Sequence, residues 1–270
     1  MPSSPEPRPL CLVTGASAGI GSELARVFAA EGWDLALTAR REDRLEALAD
    51  ELKAAHGCEV ITVPADLAEA GACDAILAAV ARRGRVVSGL VNNAGYGLNG
   101  GFTKVGWPDE AAMLQVMLTA VVEMSHKVLP GMTERGFGRI LNVASLAGML
   151  PASPGQTLYT PIKAFLVRFS QTLCLETHGT GVHVTALCPG FTFTEFHDVN
   201  KSRAKLQKLT PRWLWRDAAV VAREGFAAVQ AGRPVCITGA PNRAIAVLSR
   251  LLPESLALSL AARAQRKVGR

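Results

Sequence analysis

Seven short apolar runs, separated by longer stretches of helical period, limit the fold of this chain more than any other feature: 10–14, 34–39, 59–63, 88–91, 138–143, 182–187 and 234–237. Runs this short and this apolar read as strands covered on both faces. The stretches between them repeat apolar residues at helical spacing over roughly 19–30, 42–55, 69–82, 108–134, 158–177 and 215–231. Parallel neighbours need crossovers of that length. The alternation therefore predicts an α/β, doubly wound, seven-stranded and mostly parallel sheet with helices on both faces.

Nothing rich in Pro, Gly or Ser divides the middle of the 270 residues, so a single domain is expected over 10–240. A loose tail over 1–9, with four prolines and no apolar run, precedes it and does not read as a secretory leader. A helical extension over 241–270, broken at Pro253, follows. Cys11, Cys58, Cys73, Cys174, Cys188 and Cys236 lack the spacing of a metal site, which predicts buried thiols in a reducing, cytoplasmic setting. No continuous apolar stretch of about 18 residues points to a membrane span. The net charge of +6 suits an anionic partner. Aromatics are few and the positive charge is spread thinly, so a cofactor phosphate fits better than nucleic acid.

The first run passes into Thr14-Gly15-Ala16-Ser17-Ala18-Gly19-Ile20-Gly21, where the first helix opens. Gly15 permits the sharp turn, Gly19 lets backbone approach a pyrophosphate, and Gly21 lets the helix pack tightly on the strand. Ser17 and Ile20 belong to the same loop, at a helix N-terminus whose free N–H groups attract an anion. The second run ends at Ala39 without the acidic residue that holds a ribose 2′-hydroxyl, and Arg40-Arg41 follows. Two guanidinium forks predict a 2′-phosphate, hence NADP.

Tyr159 and Lys163 lie one helical turn apart, fourteen residues after Ser145. Residues at i and i+4 share a helix face, so the lysine charge is placed to favour an ionised tyrosine. A phenol of ordinary pKa, about 10, must be lowered by about three, worth about 4 kcal/mol, to trade protons as its anion at neutral pH. The spacing predicts that Lys163 supplies that lowering.

These elements together resemble the short-chain dehydrogenase/reductase family, in its compact Rossmann-like form, over roughly residues 10 to 237. Asn92-Asn93-Ala94-Gly95 resembles the family's NNAG segment, Ala65-Asp66-Leu67 the loop against adenine, and Pro189-Gly190 with Thr192 and Thr194 the segment that holds the nicotinamide carboxamide. The resemblance implies that Ser145 binds the substrate carbonyl, Tyr159 supplies the proton, and Lys163 holds the nicotinamide ribose. Hydride would then pass between NADP(H) and a carbonyl or secondary alcohol. It also implies a homodimer or homotetramer.

One position departs from the family pattern. Met117 stands where the asparagine of the family's catalytic tetrad would fall. In the family that asparagine shapes a local helix irregularity, and its main-chain carbonyl holds a water leading to the lysine. Methionine keeps the carbonyl and lacks the amide, while Gln115 and Thr119 lie on other faces. The implied enzyme is slower; the alternative is a catalytically weak NADP-binding sensor or scaffold. Pro161 falls in the first turn of its helix, where proline is tolerated.

The segment over 191–215 follows the sixth strand and is expected to cover the substrate. Phe191, Phe193, Phe196, Trp213 and Trp215, with Tyr96, Leu146, Met149 and Leu150, are expected to line an apolar pocket. That favours a ketone, aldehyde, steroid or 3-oxoacyl substrate. Lys201, Arg203, Lys205, Lys208 and Arg212 read as a solvated face, with a phosphate-bearing thioester carrier as the other reading. The final stretch carries Leu248, Leu251, Leu252, Leu256, Leu258 and Leu260 ahead of four cations. Packing on its own domain or a partner subunit is favoured over peripheral membrane contact. No histidine pair has metal-ligand spacing.

Overall fold

In the computed structural model, residues 8–98, 100–152, 157–195, 210–253, 255–256 and 258–259 are described. The tail before residue 8, the basic stretch from Lys201 to Lys208, Phe196, and the end of the chain from Leu260 lie outside them.

The chain alternates strand and helix: β1 (Leu10–Thr14), α1 (Gly19–Ala30), β2 (Asp34–Ala39), α2 (Glu42–His56), β3 (Val60–Pro64), α3 (Ala72–Arg82), β4 (Val87–Asn92), α4 (Trp107–Leu114), α5 (Ala120–Glu134), β5 (Gly138–Val143), α6 (Tyr159–Glu176) and β6 (Val182–Cys188). Two short strands, β7 (Thr192–Phe193) and β8 (Arg216–Asp217), then precede α7 (Ala218–Gln230), β9 (Val235–Ile237) and α8 (Ala240–Leu251). Seven strands form one parallel sheet in the order β3-β2-β1-β4-β5-β6-β9. Strand order reverses between β1 and β4, which opens a crevice at their C-terminal ends.

Burial explains why the strands show little alternation in sequence. In β1, Cys11 and Val13 face a layer built on α1, α2 and α7, where Leu24, Phe28, Leu45, Leu52 and Val221 pack. Leu10 and Leu12 face the opposite layer, with Ile76, Leu90, Met113, Met117 and Met124. Each strand has an apolar core on either side, so both pleats must be apolar. Five of the six cysteines are buried and Cys174 is partly so.

Several expected boundaries shift for identifiable reasons. The third helix starts at Ala72 rather than near 69, because the Asp66 carboxylate accepts from the Ala68 N–H at 3.0 Å and Gly71, at φ 77°, turns the chain into the helix. The seventh starts at Ala218 rather than near 215, since Arg216 and Asp217 pair with Thr192 and Phe193. The expected helix over 108–134 is two helices joined by a π-helical turn, Gln115–Thr119. That rod has the length and apolar composition of a membrane span, yet Met113, Met117, Met124 and Met132 seat it against the sheet. In α8, Asn242 and Ala246 are buried whereas Val247, Leu248 and Leu251 are exposed. The leucine stripe therefore does not pack on its own domain there. Leu252 takes extended angles, as the residue before a proline does.

Candidate active site

The crevice begins where β1 meets the glycine loop. Gly15 and Gly19, at φ 65° and 61°, occupy the left-handed region that favours glycine. A Cβ at Gly15 would lie 2.8 Å from the Ala94 Cα, so the loop and the segment after β4 need that glycine to approach each other. Thr14 Oγ1 accepts from the N–H groups of Asn93 and Ala94 at 3.0 and 3.1 Å and donates to the Val91 carbonyl at 3.2 Å. Asn93 Nδ2 donates to the carbonyls of Thr14 and Gly15 at 3.0 and 3.1 Å. A side chain at Gly21 would strike that same amide, so Gly21 packs against Asn93 as well as against the strand. Ile20 is partly buried against the α1 layer.

Asn92 stands differently from Asn93. Its side chain leaves the crevice and enters the sheet interior, donating to Asn142 Oδ1 at 2.8 Å and Ser125 Oγ at 3.2 Å. Asn142 in turn donates to Ser170 Oγ at 2.9 Å. Neighbouring residues of a strand point to opposite faces, so only one asparagine of the pair can face the crevice. Leu67 likewise belongs to the core, on the α3 side, and Asp66 alone of that pair reaches toward Arg40, at 3.8 Å.

The two arginines diverge. Arg40 is largely exposed beside Asp66, whereas Arg41 bends back to donate to Ser17 Oγ at 3.0 and 3.2 Å and to Glu195 at 3.1 Å. Arg44, which sequence reasoning passed over, donates to the same carboxylate at 2.8 Å. Its signal was present: Arg41 and Arg44 share a face of α2 at i and i+3. The two guanidinium groups hold the Glu195 carboxyl below its ordinary range, Arg44 first.

At the other end, Ser145 opens a turn of 3₁₀ helix, Leu146–Met149, and its Oγ accepts from the Ala147 N–H at 3.1 Å. The Leu146 N–H donates to the Pro189 carbonyl at 2.8 Å, tying this turn to the end of β6. Gly148 lies directly on the Lys163 main chain, with no room for a side chain. The turn is thus pressed onto α6, whose first residue is Tyr159. The Ser145 hydroxyl lies close enough to Tyr159 to draw the phenol pKa down. Lys163 is buried, donates from Nζ to the Val143 carbonyl at 2.7 Å, and sits 5.6 Å from the centre of the Tyr159 ring.

The structure brings Ser145, Tyr159 and Lys163 together, and burial rather than the lysine charge dominates the phenol. Burial pushes the Tyr159 hydroxyl up, and the Ser145 hydrogen bond pulls it partly back. Burial brings Lys163 down to about 8, against a smaller opposing influence of Cys188. Lys163 Nζ lies over the ring and donates one of its three hydrogen bonds to a strand carbonyl, while desolvation of the buried phenol is the larger influence on Tyr159.

Met117 is fully buried in the π-helical turn, its side chain against Gly95. The helix irregularity therefore forms around methionine as well. Gly190 packs on the buried Asn242, whose amide donates to the Thr238 carbonyl at 2.8 Å. Thr192 is buried and donates to the Gly190 carbonyl at 3.1 Å, and Thr194 lies against Gly19. Trp215 is stacked between Phe191 and Phe193, at 5.3 and 5.1 Å, and donates to Thr210. These three rings pack on one another, and Trp213 is exposed. A small recess beside Tyr159 is lined by Leu98, Gly100, Val105, Met113, Thr157 and Leu158, with the buried Glu110. Among the described residues no group of three potential metal ligands occurs.

The family model for short chain dehydrogenases matches residues 10–205. Sulfoacetaldehyde reductase 2 of Chromohalobacter salexigens is 39% identical over 189 residues, covering 69% of this chain and 74% of that protein. The NADP-dependent 3-hydroxy acid dehydrogenase of Salmonella typhi is 38% identical over 192 residues, 70% and 75% of the two chains. Among solved structures, a short-chain dehydrogenase from Sphingobium yanoikuyae in complex with NADPH superposes with a TM-score of 0.77 at 31% identity, covering 88% of this chain and 92% of that one. Sheet order, crevice and sequence agree, and the chain belongs to the short chain dehydrogenase family of oxidoreductases.

Proposed function

We propose that this oxidoreductase interconverts a carbonyl and a secondary alcohol, with Tyr159 as the proton donor and acceptor, Ser145 as the second donor to the carbonyl oxygen, and Lys163 as the nearby cation. The observation that carries this reading is the juxtaposition of Ser145, Tyr159 and Lys163 at one end of a crevice whose other end presents Ser17 and Arg41.

NADP is the cofactor, and the residues present fit it. The left-handed glycines leave backbone open at the N-terminus of α1, β2 ends without an acid, and Arg41 and Ser17 form a cationic cradle suited to a 2′-phosphate. NADP(H) supplies or accepts the hydride when bound. Asp66, Ala94, Pro189, Gly190, Thr192 and Thr194 would border the dinucleotide when it binds in the crevice. In reduction, Tyr159 passes its hydroxyl proton to the carbonyl oxygen while Ser145 holds that oxygen. A phenol raised by burial keeps its proton at neutral pH, which suits donation. The positive charge on Lys163 then stabilises the tyrosinate left behind.

The substrate is a small apolar ketone or aldehyde. Leu98, Val105, Met113 and Leu158 lie beside Tyr159 together with Thr157 and Glu110, and the four apolar side chains support an apolar group next to the reacting carbon. In this the protein would differ from relatives named for sulfoacetaldehyde and 3-hydroxy acids. The sensor or scaffold reading loses its motive, since the helix irregularity survives at Met117. A homodimer or homotetramer in a cytoplasmic setting completes the proposal. The test is NADPH oxidation over paired ketones that differ only by a terminal methyl or carboxylate. A higher kcat/KM for the methyl member supports the reading, and preference for the carboxylate defeats it.

A further inference from the structure

Just past β7 the chain crosses its own glycine loop. A Cβ at Gly19 would lie 3.1 Å from Thr194 Cβ, so the two segments touch. The next residue, Glu195, reaches α2 and takes Arg41 at 3.1 Å and Arg44 at 2.8 Å, while Ser17 holds the other side of Arg41. Carboxylate and phosphate offer an arginine fork the same kind of oxygen acceptors, and one guanidinium edge cannot serve both. Glu195 therefore occupies one donor edge of the cationic cradle that the proposed function gives to the 2′-phosphate, and the inference rests on that reading.

We propose that Glu195 is a specificity-determining residue for the cofactor: it competes with the 2′-phosphate of NADP(H) for Arg41 and Arg44, and so weakens NADP(H) binding while leaving NAD(H), which carries a neutral hydroxyl there, nearly unaffected. Arg44 is a cation of this cradle beside Arg41, since both hold the same Glu195 carboxylate. The ion pairs are about half exposed, at 43% and 46%, so their loss is felt as a modest factor. Removing the competitor tightens NADPH by roughly three- to tenfold.

The experiment is a fluorescence titration of the full chain with NADPH and with NADH, for the wild type, Glu195→Gln, Arg41→Ala and Arg44→Ala, at low and high salt. Glu195→Gln is expected to lower the NADPH Kd by that factor, to leave the NADH Kd within about twofold, and to lose most of its effect at high salt. Arg41→Ala and Arg44→Ala are expected to weaken NADPH only. An unchanged or weaker NADPH affinity in Glu195→Gln overturns the proposal. Equal tightening of both dinucleotides also overturns it, because the residue then obstructs the groove instead of answering the phosphate. Should Arg41→Ala leave NADPH binding intact, the phosphate reading itself falls, whatever Glu195 does.

Discussion

Two polar clusters in this protein use similar chemistry to opposite ends. Asn92, Ser125, Asn142 and Ser170 lie between the sheet and helices α5 and α6 and are at most 4% exposed, each hydrogen-bonded to another member. Ser17, Arg41, Arg44 and Glu195 lie at the crevice rim, where the charged side chains remain about half in water. An unmet polar group in the interior bears its full desolvation cost, whereas at the rim water replaces a lost partner. The interior cluster thus fixes β4, β5, α5 and α6 relative to one another, and the rim cluster is free to exchange partners when an anion arrives.

The largest effect expected from that contrast is on stability. Asn142→Ala strands partners on Asn92 and Ser170 and is expected to cost about 2–4 kcal/mol in denaturant unfolding. Glu195→Gln, with exposed partners, is expected to shift it by less than about 1 kcal/mol. A reversed ranking would break the comparison. Next in size, Arg41→Ala is expected to weaken NADPH about tenfold, about 1.4 kcal/mol, with little change in NADH affinity.

Acidity sharpens the contrast further. Lys163 sits lower in the folded protein, at about 8, than its ordinary 10.5. Between those two values the unfolded chain binds more protons, so this group makes stability rise with pH across that window. The same titration removes the cation beside Tyr159, and kcat/KM for carbonyl reduction is expected to fall as pH climbs through about 8. A profile flat to pH 10 would contradict the role given to Lys163. The smallest effect belongs to Met117→Asn, expected to alter kcat by no more than about threefold, because the π-helical turn already exists without the amide.

The parts legible in the sequence are those fixed by local chemistry. β1 and α1 fall where the apolar run and the glycine cluster put them, since a doubly covered strand must be apolar and Gly15 must take a positive φ. Tyr159 and Lys163 were legible because helical spacing alone makes them neighbours. The rest depends on partners far along the chain. Glu195 meets Arg44 across 151 positions, and the start of α7 is set by β7 reaching β8. Which of Asn92 and Asn93 turns inward follows from the pleat register, and the upward push on Tyr159 follows from burial; spacing reports neither.

Replacing Tyr159 by phenylalanine tests the central claim most directly, with turnover of a neutral ketone and NADPH binding measured on the same preparation. The expected result is a loss of about 10²- to 10⁴-fold in kcat/KM with the NADPH Kd essentially unchanged. Turnover near the wild-type rate would contradict it.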